Sequence, residues 1–76
     1  MTKHEFWMTI LGQTTTVEAV KVNDLAGKSA PELRSFLEGV VLEATAQGGD
    51  FSGALVDGWI ELIVDELIEA QSEVAL

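Results

Sequence analysis

With 76 residues, one proline and an apolar fraction of 47%, the chain is sized for one small core and is too apolar to remain disordered. It contains no cysteine, which excludes disulfides, thiolate metal sites and thiol nucleophiles together and fits a reducing compartment. The net charge is −9, and the whole excess lies in residues 29–76, where ten acids face the single base Arg34; residues 1–28 balance three acids with three lysines. A surface of that sign repels nucleic acid and anionic membrane, which are bound through Lys and Arg, and attracts a basic partner. The expectation is one acidic domain over residues 1–76.

The N-terminal segment has a short apolar run, Phe6 to Leu11, too brief and too acid-flanked to read as a secretory signal, so the expected compartment is cytoplasmic. Glu5 to Leu11 and Thr14 to Val22 are rich in aromatic and β-branched residues and flank Gly12-Gln13, where glycine suits the positive φ of a tight hairpin turn. They are expected to form a β-hairpin. A helical alternative rests on a capping box at Thr2-x-x-Glu5, on Phe6, Trp7, Ile10 and Leu11 at helical spacing, and on Thr15 to Glu18 as a second helix start. The run Thr14-Thr15-Thr16-Val17, poor helix material, tips the balance to the hairpin.

After a loop over 23–28, Ser29-Ala30-Pro31-Glu32 opens a helix: an N-cap serine, a proline in the first turn and a glutamate three residues on. Leu33, Phe36, Leu37, Val40, Val41 and Ala44 give it one apolar stripe, and Gly48-Gly49 should end it. Asp50 or Ser52 can cap a second helix, tolerant of Gly53 and Gly58 in its first turns, that runs to about Glu73. Its expected apolar face is Leu55, Trp59, Leu62, Ile63, Leu67 and Ala70, with Val56 and Ile60 beside them, a wider arc than one neighbour needs. The segment from Ala54 to Leu76 carries six acids, too many for a membrane span. The expected fold class is therefore α+β, an N-terminal β-hairpin followed by two antiparallel helices, with a small all-α bundle as the alternative.

No constellation for catalysis stands out. His4 is the sole histidine and lies near the N-terminus; Ser29, Ser35, Ser52 and Ser72 sit in no Gly-x-Ser-x-Gly elbow. The seven glycines form no phosphate-cradling pattern, and Gly48-Gly49-Asp50 lacks the ladder of a calcium loop. The expectation is no enzyme, no cofactor and no metal. In size and acidity the chain is similar to acyl carrier proteins, but none of its four serines has their Asp-Ser-Leu context, so the likeness stops at composition.

The sharpest feature is the series Asp57, Glu61, Asp65, Glu69, Glu73, with Glu66 beside it. Acids four apart lie about 6 Å apart along a helix axis, and like charges at that spacing cost a few tenths of a kcal/mol per pair. The spacing resembles that of successive phosphates on a nucleic-acid strand. Two readings compete: a solvated face that keeps an apolar chain in solution, and carboxylates presented to the basic groove of a nucleic-acid-binding protein. Glu66 falls inside the apolar arc, where it needs a partner such as Arg34 or a place at the rim. Trp59 joins the acids as a candidate interface anchor. The expected function is a non-catalytic protein-binding module, an inhibitor or adaptor of phage or mobile-element type, whose acidic helical half docks on a basic surface. The alternative is a homo-oligomer, at its simplest a homodimer, assembled through the apolar face of the C-terminal helix.

Overall fold

A computed structural model describes residues 2–49, 51 and 53–74. They form four helices: α1 Lys3–Leu11, α2 Thr16–Val22, α3 Ala30–Ala46 and α4 Ala54–Val74. No strand occurs among the described residues, so the α+β expectation with its N-terminal hairpin is overturned and the all-α alternative holds.

The reason lies in the caps. Thr2 accepts from the Glu5 amide at 3.2 Å while the Glu5 carboxylate accepts from the Thr2 amide at 3.4 Å, the reciprocal pair that starts α1. Gly12 ends α1 in the left-handed region, φ 68°, and donates its N–H to the Met8 carbonyl at 2.8 Å. Thr15 then accepts from the Glu18 amide at 3.1 Å and starts α2. Of the threonine run, two members precede the helix, where a hydroxyl is an asset, and Thr16 alone lies within it. Packing points the same way. A strand would send Phe6 and Trp7 to opposite faces; a helix puts Phe6, Trp7, Ile10 and Leu11 on one, and all four are buried.

α3 begins as its sequence dictates, with a full capping box between Ser29 and Glu32 and Pro31 in the first turn. Leu33, Leu37 and Val41 are buried, with Phe36, Val40 and Ala44 packed at the edge. It closes at Gln47, and the amides of Gly48 and Gly49 return to the carbonyls of Thr45 and Ala44, each at 3.0 Å. A Cβ on Gly49 would run into the buried Phe51 ring, so the chain needs glycine there for close approach. The proposed caps of the last helix, Asp50 and Ser52, lie outside the described residues.

α4 is the spine. It packs against all three other helices, and α1 also rests on α3. Its buried face is Val56, Ile60, Ile63, Val64, Leu67 and Ala70. The expected apolar face is thus turned: Leu55 and Leu62 lie outside it, 72% and 50% exposed, and Val64, absent from the expected arc, lies within it. α2, expected as half of a hairpin, is instead a helix packed on α4, so the arc of α4 that faces the core differs from the expected one. Gln71 on α4 ties down the α2–α3 loop by donating from Nε2 to the carbonyls of Leu25 and Lys28, both at 3.0 Å. No helix among the described residues is long and apolar enough to cross a membrane.

Candidate protein-interaction surface

The buried arc of α4 packs against the protein's own helices, and its opposite face is open to a partner. Residues four apart advance by about 40° around a helix, so the acids from Asp57 to Glu73 sweep across this outer face as a broad band. Asp57, Glu61, Asp65, Glu69 and Glu73 are all exposed.

They are not equivalent. Glu61 accepts from Arg34 on α3, Nη2 to Oε2 at 2.7 Å. Glu66 sits half-buried at the rim of the core and pairs with Lys3 on α1, so its partner is Lys3 in place of Arg34. Two of the four Lys and Arg residues are thereby spent on α4. Among the described residues, Asp57, Asp65, Glu69 and Glu73 have no ion-pair partner. Four carboxylates along one helix face thus carry charge that the fold does not neutralise.

Trp59 is only partly buried and packs on the core, its ring centroid 5.5 Å from that of Phe6. It sits at the inner edge of α4, away from the band, and its first role is packing. Trp7 is buried, and its indole Nε1 has no hydrogen-bond partner among the described residues. His4 lies over it with ring planes 10° apart and centroids 6.4 Å apart. No group of three or more His, Asp or Glu able to hold a metal ion occurs among the described residues.

Family models, curated proteins and solved structures give no match to this chain.

A groove that sequence patterning misses lies between the second half of α3 and the start of α4, with a volume of about 250 Å³. Val41, Phe51, Val56 and Ile60 form its floor, each nearly buried; Leu42, 71% exposed, stands on its lip, and Glu38 and Asp57 flank it. The available signal is Leu42 itself, a large apolar residue one position out of phase with the α3 stripe. Of the exposed large apolar side chains, Leu42, Leu55, Leu62 and Ile68 all belong to α3 and α4, the helices that carry the negative excess.

Proposed function

We propose that this protein is a non-catalytic binding module whose acidic helices α3 and α4 dock on a basic surface of another protein. The observation that carries this reading is the set of exposed carboxylates Asp57, Asp65, Glu69 and Glu73, without a base beside them on a helix whose other face is fully used by the core. Repulsion among like charges is unfavourable to the isolated fold, and a cationic partner converts it into attraction. Such a partner is found fast at low salt and held less tightly as salt rises, because exposed charges are screened beyond about 10 Å at 0.1 M.

Self-association is the rival. It is disfavoured here because most of the face of α4 that sequence offered for it, Val56, Ile60, Ile63, Leu67 and Ala70, is buried in the core and leaves only Leu55 and Leu62 well exposed, and because each added copy brings a charge of −9. An inhibitor or adaptor role follows naturally from a small domain that acts by occupying a basic site. If that site is a nucleic-acid groove, the carboxylate band takes the place of phosphates.

The test compares the parent chain with a variant carrying Asp57→Asn, Asp65→Asn, Glu69→Gln and Glu73→Gln. All four positions are exposed, so the variant should fold at least as stably as the parent. Each is used as bait in a lysate at low and high salt. A basic protein held by the parent, released by salt and not held by the variant supports the reading; equal capture by both overturns it. Displacement of the captured protein by duplex DNA or RNA identifies the blocked site as a nucleic-acid groove.

A further inference from the structure

We infer that the α3–α4 groove is the anchoring point for the partner, and that its occupant is a basic amphipathic helix of another protein that inserts an apolar side chain between Glu38 and Asp57. The inference rests on the reading of α3 and α4 as the docking face and gives that face a location. The groove has an apolar floor of Val41, Phe51, Val56 and Ile60 and an exposed leucine, Leu42, at its lip. A purely electrostatic surface needs none of these, since carboxylates alone attract cations. An apolar cleft walled by acids instead selects a ligand that is apolar at its centre and cationic at its flanks.

The shape selects a helix. The groove runs between two helices, at Glu38, Val41 and Leu42 on one side and Val56, Asp57 and Ile60 on the other, spacings of one turn. A third helix seats its ridge of side chains in such a trough, and apolar residues at i, i+3 or i+4 supply the anchors. Charge decides against the other occupants. A second copy of this chain would bring acids to the acids at Glu38 and Asp57, and nucleic acid would bring phosphates. Among the described residues the only base of α3 and α4 is Arg34, which is already held by Glu61.

The probe is a synthetic helix of about 15 residues, long enough to become helical on docking, built from leucine and lysine with the leucines on one face. A control peptide has the same composition in an order that scatters the leucines. Both are titrated calorimetrically into the parent chain at low and moderate salt, and the ordered peptide is followed by chemical-shift mapping. The deciding variant is Leu42→Asp, which adds a negative charge at an exposed site and so strengthens attraction while removing the apolar lip.

The expected result is that the ordered peptide binds about tenfold or more tighter than the scattered one and that Leu42→Asp weakens it by about the same factor despite the added charge. The shifts should centre on Val41, Leu42, Phe51, Val56 and Ile60. Equal binding of both peptides, or tighter binding by Leu42→Asp, overturns the groove and leaves the acidic-face reading intact. Failure of both peptides to bind even at low salt overturns both readings.

Discussion

Phe6 on α1 lies against Trp59 on α4, ring centroids 5.5 Å apart and planes tilted by 37°, and Phe6 also reaches Phe51 at 5.9 Å. One fully buried ring thus joins the first helix, the last helix and the residue that floors the groove. Phe6→Ala should cost about 3–5 kcal/mol, the usual loss for emptying an aromatic core site. A domain this small has little more than that in total. The expected outcome in urea denaturation is a chain that is largely unfolded at 37 °C, whereas Phe6→Leu, which keeps most of the volume, should still give a cooperative transition.

The Arg34–Glu61 pair should behave differently. Both side chains are about half exposed, and ion pairs in that setting contribute roughly 0–1 kcal/mol after screening. Arg34→Gln is therefore expected to shift the urea midpoint very little while changing the net charge from −9 to −10 and releasing Glu61. A cationic partner or peptide should then associate faster at low salt, and the gain should vanish as salt rises. A gain that persists in high salt would mean that Arg34 acts by obstructing the site and not through its charge.

Acid titration isolates one carboxylate. The Ser29 amide donates to Glu32 at 3.0 Å, and this bond, with that of the serine side chain, holds the Glu32 pKa below the ordinary carboxylate value. A lowered folded-state pKa means that the charged form is favoured in the native state. The corresponding stabilisation is fully present above the unfolded-state value and is lost as pH falls through the folded-state one. Against it runs the relief of repulsion as a chain of net charge −9 approaches its isoelectric point near 4.1. The observable is thus the stability difference between the parent and Glu32→Gln, expected to favour the parent near neutrality and to shrink as pH falls through the acid range. A difference that stays constant with pH would assign the loss to helix propensity alone.

What could be seen in the sequence divides along a physical line. The start of α3 was plain because its signals agree: Ser29, Pro31, Glu32 and a regular stripe from Leu33 onward all require the same helix. In the N-terminal pair local signals conflict. Thr14 to Val17 favour a strand by propensity, while Thr2, Glu5, Gly12 and Thr15 are caps, and the burial of Phe6 with Trp7 on one face decides for the caps. The buried arc of α4 depends in turn on what lies against it, which the periodicity of α4 alone does not report. The groove escaped notice for a related reason: its floor is shared by two helices and Phe51, and no periodicity within one element reports a space between two.

Leu55 and Leu62 on α4 are seven residues apart, on one exposed stripe of the helix, and they give self-association its best remaining route. Two small apolar contacts must overcome the repulsion of two chains each carrying −9, so the balance depends on screening. Light scattering at low ionic strength should therefore return the 8.2 kDa of a single chain. Raising the salt lowers the repulsion without touching the leucines, so any dimer should appear only then and should be abolished by Leu55→Lys with Leu62→Lys. The same salt series weakens a heterologous basic partner, and the two modes of association consequently respond to salt with opposite sign. A dimer already complete at low salt, and lost in the double variant, would make Leu55 and Leu62 the primary interface and reduce the carboxylate band to a solvated face.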